Sequence, residues 1–207
     1  MDVTKNKIFM MARKHAFGEM KRSWLDQLIF DKRFSQIIPH IPNETQVIAD
    51  YGCGYRAEGL QYLIARKYTR RGVGLDLSIT NEQLPNIRLI ESDFESGVSS
   101  LADSSADCVI SLAVLEHLYN ARGYMSDIYR VLKPGGVLLL TTPSPYSKPV
   151  LEFMAHVLKI IDTAEIDDHK HYYNLAELRD MSKSVGFSEC RAQHFELFMN
   201  DFLIAKK

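Results

Sequence analysis

The sequence predicts an α/β protein built on a doubly wound, mostly parallel sheet with helices on both faces. Three observations predict it. Short β-like runs alternate with helical stretches from about residue 46 to residue 142, as in chains of βαβ units. The run Val137-Leu138-Leu139-Leu140-Thr141-Thr142 is continuously apolar or β-branched, which suits a strand covered on both faces. Two glycines, Gly52 and Gly54, follow the first β-like run where a helix is expected to begin.

The elements follow in order. Residues 7–38 carry helix formers with scattered aromatics (Phe9, Phe17, Trp24, Phe30, Phe34) and predict one or two helices. Pro39 and Pro42 stop that pattern. Strands are expected at 46–51, 72–77, 86–91, 107–112 and 137–142. Helices are expected at 57–68 and 119–132, the second closed by the turn Lys133-Pro134-Gly135-Gly136. Helical patterns recur at 150–161 and 175–185. A strand beginning at Gly186-Phe187 and another at 198–205 are placed to form a hairpin at a sheet edge.

At 207 residues the chain reads as one domain. It divides into an N-terminal helical segment (1–42), a cofactor-binding core (43–145) and substrate-side helices with terminal strands (146–207). A formal net charge of −1 gives no global basic field for nucleic acid. The clustered Arg66, Lys67, Arg70 and Arg71 read as a solvated helix end. Cys53, Cys108 and Cys190 are too scattered for a disulfide framework or a cysteine zinc site. A reducing, cytoplasmic setting is expected. No apolar run approaches the roughly 20 residues of a membrane span, and the polar start of the chain lacks a signal-peptide core.

The most informative segment is Asp50-Tyr51-Gly52-Cys53-Gly54-Tyr55-Arg56-Ala57. Glycine there permits unusual backbone angles and close approach of a ligand to the main chain. Asp76 ends the next strand, about 20 residues on, where a carboxylate suits the two donors of a ribose diol. Asp93-Phe94 follows the third strand: Asp93 suits an exocyclic amine, and Phe94 a flat ring. Each acid taken singly also reads as a turn or cap residue. Ligands of open α/β sheets sit beyond the carboxyl ends of the strands, and Asp50, Asp76 and Asp93 fall at three such ends.

These residues resemble the class I methyltransferases that use S-adenosylmethionine, in particular the small-molecule type. Asp50-Tyr51-Gly52-Cys53-Gly54 is similar to that family's D-x-G-C-G motif. Asp107-Cys108-Val109-Ile110-Ser111 and Val114-Leu115-Glu116-His117-Leu118 resemble its fourth-strand segments. Arg130-Val131-Leu132-Lys133-Pro134-Gly135-Gly136 resembles its R-x-L-K-P-G-G. The resemblance implies a Rossmann-like sheet of seven strands, the last antiparallel. It also implies S-adenosylmethionine contacts from Asp50, Gly52, Cys53, Gly54, Asp76, Leu77, Asp93, Phe94, Ser111 and Leu112. The family usually has a third glycine where this chain has Arg56. A side chain there either narrows the approach to the cofactor's carboxylate or pairs with it.

Gly52-Cys53-Gly54-Tyr55-Arg56-Ala57 also satisfies G-x-G-x-x-G/A, so an NAD-dependent oxidoreductase is the competing reading. Asp50, Asp93-Phe94 and the Lys-Pro-Gly-Gly turn favour the methyl donor. A non-catalytic module binding S-adenosylmethionine or a nucleoside is the third reading.

A hydroxyl acceptor usually needs a base near neutral pH, and histidine suits that. His117, after the fourth strand, and His171, in Asp167-Asp168-His169-Lys170-His171-Tyr172-Tyr173, are the catalytic candidates. His169 and Tyr172 are expected near the substrate pocket. His15, His40, His156 and His194 read as structural or exposed. A metal is not expected, because no third ligand is anchored outside this segment. The acceptor is expected to be a small molecule, a sugar, glycan or quinone-like metabolite, through oxygen, nitrogen or carbon. Nucleic acid is not expected as a partner.

Overall fold

The structure is a computed structural model and describes residues 24–96, 98–161 and 163–207. Of the helical segment expected over 7–38, residues 7–23 lie outside these, and Trp24–Ile37 is helical. Seven strands form one sheet in the order β3-β2-β1-β4-β5-β7-β6. They are β1 (Val47–Tyr51), β2 (Arg71–Asp76), β3 (Ile87–Glu91), β4 (Ala106–Leu112), β5 (Leu132–Pro143), β6 (Glu189–Phe195) and β7 (Asn200–Lys206). The pairs from β3 through β5 are parallel, and β7 runs antiparallel to both β5 and β6. The C-terminal hairpin expected from the sequence is therefore present, and only its middle-lying strand is reversed.

Successive residues of the central strands face opposite layers, which explains their unbroken apolarity. Ile48, Cys108, Ile110, Leu139 and Phe202 pack with Phe34 and Ile37 of α1 (Trp24–Ile37) and with Leu60 and Leu63 of α2 (Glu58–Ala65). Ala49, Tyr51, Val109, Leu138, Leu140 and Leu203 pack on the other face. There they meet Tyr124, Met125, Ile128 and Val131 of α3 (Ala121–Val131). That spacing is one apolar helical stripe. Two short helices, α4 (Lys148–Glu152) and α5 (Thr163–Asp167), precede α6 (Leu175–Val185). Asn174 and Glu177 cap α6 reciprocally.

The segment expected as a 150–161 helix begins earlier and changes form. α4 leads into one turn of π-helix at Phe153–Val157. The Lys-Pro-Gly-Gly turn is part of β5, which starts at Leu132 with a register shift before Cys108 pairs Val137. Lys133 there donates to Asp107 Oδ1 at 2.6 Å, while Asp107 Oδ2 accepts the N–H groups of Gln46 and Val47 at 3.1 and 2.9 Å. Arg130 ties Asp127, Asp103 and the Leu101 carbonyl. The charged residues of this motif thus fasten the amino ends of β1, β4 and β5, away from the strand tips that carry the site. Among the described residues no helix is long and apolar enough to cross a membrane.

Candidate active site

The chain crosses from one half of the sheet to the other between β3 and β4, so β1 and β4 lie side by side at the switch point. That is where open α/β sheets hold ligands. Asp50 lies in β1 one residue from its end, Asp76 ends β2 and Asp93 follows β3 by two residues. The fold brings the three acids to neighbouring tips.

The glycine turn between β1 and α2 is shaped by two contacts. Gly52 takes φ +90°, and a Cβ built there would lie 2.2 Å from Val114 Cγ2. Val114 comes from the segment after β4, so the glycine allows the two strand tips to close on each other. Gly54 donates its N–H to Asp76 Oδ2 at 2.8 Å, which aims the carboxylate across the turn. The N–H groups of Gly52 and Cys53 both go to the Leu75 carbonyl, at 2.8 and 3.1 Å, and that of Ala57 goes to Gly54. A pyrophosphate needs such N–H groups for itself. Here they are spent inside the turn, which suits a ligand gripped through its sugar and base by carboxylates.

Asp50 is buried, and its carboxyl is pushed up to about 8, first by that burial and then by the charge of Asp76. Burial also raises the Cys53 thiol, which bonds the Gly54 carbonyl and offers a ligand little surface. Asp93 is exposed and accepts the Glu95 N–H at 3.0 Å, so its turn role and a ligand role share one carboxylate. Leu77 is half exposed beside Asp76 and could cover a flat ring.

Two of the expected contact residues have their side chains engaged inside the protein. Phe94 is not an open face for a ligand. Its ring stacks on Tyr51 at 5.4 Å and meets Tyr124 edge-on, inside the core. Ser111 is fully buried and bonds the Tyr124 hydroxyl at 2.8 Å, because its side chain projects into the α3 layer. Leu112, one residue on, packs partly against the opposite layer. Arg56 points outward to Glu82 at 2.8 Å, with both side chains exposed. Its guanidinium is engaged there, on the outside of the turn. Arg56→Gly is therefore expected to leave S-adenosylhomocysteine affinity within about twofold, since exposed pairs contribute little. Calorimetric titration checks this.

The other half of the site was only partly visible in the sequence. A 3₁₀ turn at Leu115–His117 follows β4. The Glu116 carbonyl accepts the N–H groups of Lys170 and His171 at 2.7 and 3.3 Å. This contact brings the 167–173 segment over the strand tips. There Glu116, His117 and His169 place one potential ligand atom each within 4.8 Å of the others. The premise that no ligand is anchored outside residues 167–173 fails here, because Glu116 and His117 arrive from β4.

Asp168 holds His117 Nδ1 at 3.1 Å, and Tyr172 holds His169 Nδ1 at 2.9 Å. Burial pushes the Asp168 carboxyl up, but its bonds to His117 and Lys170 together outweigh this and leave it lowered. Burial, followed by the charge of His117, pushes His169 down to about 4 and keeps it neutral at ordinary pH. Glu116 is fully buried, which raises its carboxyl against the opposing influence of His117, Arg33 and Thr142. Thr142 donates to Glu116 Oε2 at 2.9 Å, whereas Oε1 has no hydrogen-bond partner. Arg33 of α1 acts on both Glu116 and His169, and its own buried Nε is also unpartnered. Nothing in the sequence marked Arg33.

A cavity of about 400 Å³ adjoins this cluster. Its lining includes His169, Lys170, His171 and Tyr172, with Lys148 and Glu152 from α4. His171 itself is exposed and stands 3.4 Å from Glu177.

Carboxylates at neighbouring strand tips of the switch point, with a small polar cavity elsewhere on the same side of the chain's β4 exit, are the arrangement found in ligand-binding open α/β sheets. Comparison with known proteins makes the class specific. Residues 19–190 match the family model described as methyltransferase domain. The chain is 28% identical over 185 residues to a mitochondrial ubiquinone biosynthesis O-methyltransferase of Dictyostelium discoideum, covering 79% of this chain and 55% of that one. An S-adenosylmethionine-dependent methyltransferase from Archaeoglobus fulgidus superposes with a TM-score of 0.65 at 19% identity, covering 87% and 94% of the two chains. A Haemonchus contortus phosphoethanolamine N-methyltransferase, solved with S-adenosylmethionine, superposes at 0.63 and 19% identity, covering 89% and 53%.

The chain belongs to the methyltransferase domain family, in its S-adenosylmethionine-dependent class. It spans about half the length of the curated relatives it matches.

Proposed function

We propose that this protein transfers the methyl group of S-adenosylmethionine to an oxygen of a small-molecule acceptor. The carrying observation is the cavity of about 400 Å³, lined in part by His169 of the Glu116, His117 and His169 cluster. Its size suits a metabolite, and its lining suits a polar group. The hydroxyl acceptor is favoured because two part-buried imidazoles and a buried carboxylate cluster in this region, and a hydroxyl needs help to become a nucleophile. The name of the Dictyostelium relative, an O-methyltransferase, agrees with it.

The donor supplies an activated methyl group on a sulfonium, which leaves the protein to bind and align the reactants. In this reading Asp76 accepts the ribose hydroxyls, already oriented by the Gly54 N–H. Asp93 accepts the adenine amine, and Gly52 lets the chain of the amino acid pass close to the backbone. Leu77 and Leu112 give apolar cover. Asp50 shapes the floor from below. His117, fixed by Asp168, helps hold the acceptor hydroxyl, and His171 lines its cavity.

Labelled methyl transfer to phenol, sugar and amine acceptors, with RNA as a further arm, tests this reading. Transfer to hydroxyl compounds is expected, and transfer to RNA alone would overturn the small-molecule assignment. Asp76→Ala is expected to weaken S-adenosylhomocysteine binding by about 1–3 kcal/mol, the scale of hydrogen bonds to a charged group. Unchanged affinity in a folded variant would remove the ribose assignment.

A further inference from the structure

Resting on the methyl-transfer reading above, we propose that Glu116, His117 and His169 bind one divalent transition-metal ion that holds the acceptor oxygen. Three observations carry it. Their ligand atoms lie within 4.8 Å of one another, from two separate stretches of chain. Ligands about 2.0–2.2 Å from a shared ion sit roughly 3–3.5 Å apart, so small side-chain rotations close the site.

The second observation is Glu116 Oε1, which is buried without a hydrogen-bond partner on a residue with 0% exposure. A buried oxygen left in that state is costly, and a cation beside it removes the cost. The third is the outer ring of partners. Metal-bound imidazoles commonly have the second ring nitrogen held by a carboxylate, carbonyl or other polar group. Asp168 holds one nitrogen of His117, and the Tyr172 hydroxyl holds one of His169.

Two imidazoles and one carboxylate suit Zn²⁺ or Mn²⁺, whereas Mg²⁺ prefers oxygen ligands throughout. Three protein ligands leave a coordination position open. His169 also lines the cavity in which the acceptor is placed, so the ion and the acceptor share this residue.

The chemistry balances without any redox partner. The ion lowers the pKa of the acceptor hydroxyl, whose proton passes to water. An oxygen lone pair then forms the bond to the methyl carbon as the carbon–sulfur bond breaks, its electron pair staying on sulfur. The products are a methyl ether, neutral S-adenosylhomocysteine and one proton.

The test titrates metal-stripped protein with ZnSO₄, MnCl₂ and MgCl₂ in turn, by calorimetry and by elemental analysis after gel filtration. One equivalent of Zn²⁺ is expected per chain, with affinity falling from Zn²⁺ to Mn²⁺ to Mg²⁺. Glu116→Gln and His169→Ala are expected to weaken Zn²⁺ binding at least ~10-fold, and the outer variant Asp168→Asn by about 10–100-fold. S-adenosylhomocysteine affinity, measured on the same samples, reports both the fold and the methyl-donor reading independently of the metal. Absence of stoichiometric Zn²⁺ in a wild-type chain that binds S-adenosylhomocysteine would overturn the proposal, as would equal Zn²⁺ binding by Glu116→Gln and His169→Ala.

Discussion

Gly52→Ala is expected to abolish measurable S-adenosylhomocysteine binding and to cost about 2–5 kcal/mol of stability. Two costs add. The residue sits at φ +90°, where an L side chain is strained. The new methyl would also meet Val114 Cγ2 at 2.2 Å, far inside van der Waals contact. Val114 cannot simply turn away. It packs partly against the core of the α3 layer and is held between Ala113, bonded to the Thr141 carbonyl, and the buried Leu115. Relief must therefore come from parting the tips of β1 and β4, the same gap in which the ligand is placed. Thermal melts and calorimetric titration measure both effects. An alanine variant with native melting temperature and native affinity would show that the turn tolerates a side chain.

The second large effect concerns pH. Asp50 has a folded-state pKa of about 8, against an ordinary carboxylate value of 3.8. The cause is burial first, then the neighbouring Asp76. The folded chain therefore holds this proton more tightly than the unfolded chain does. Its contribution to stability is full below about pH 4 and is lost as pH rises through 8. Within that window each pH unit costs about 1.4 kcal/mol. Asp50→Asn keeps the shape and removes the titration. The stability of the variant relative to wild type should accordingly climb between pH 4 and 8 and level off above. Denaturant melts across that range measure the difference, which cancels the titration of groups common to both proteins. A difference that is flat with pH would mean Asp50 is ionised throughout.

Much of this was legible in the sequence because it is local or periodic. The β1, β2, β3 and β4 runs fall within a residue or so of expectation, since most of their residues are apolar and the segments between them carry the turn residues. α6 matches the expected 175–185, with Asn174 and Gly186 marking its ends. The glycine turn and the acids at three strand tips follow from the same local logic.

What the sequence did not display has a different cause. Phe94 and Ser111 lie next to the cleft in sequence, yet side-chain direction sends both into the α3 layer. No spacing rule at a strand end fixes that. The pair His117 and Asp168 is 51 residues apart. Its meeting depends on two backbone N–H groups finding the Glu116 carbonyl. Arg33 of α1, 83 residues earlier in the chain, acts electrostatically on Glu116. Such contacts are products of packing, and only the assembled sheet displays them. Lys133 and Arg130 show the converse: a motif prominent in sequence fastens the far end of the strands.

A crystal structure with S-adenosylhomocysteine tests the central claim most directly. The account predicts the ribose hydroxyls on the Asp76 carboxylate, the adenine amine at Asp93 and the sulfur turned toward Glu116, His117 and His169. A nucleoside bound elsewhere on the chain, with Asp76 and Asp93 making no contact to it, would contradict the account.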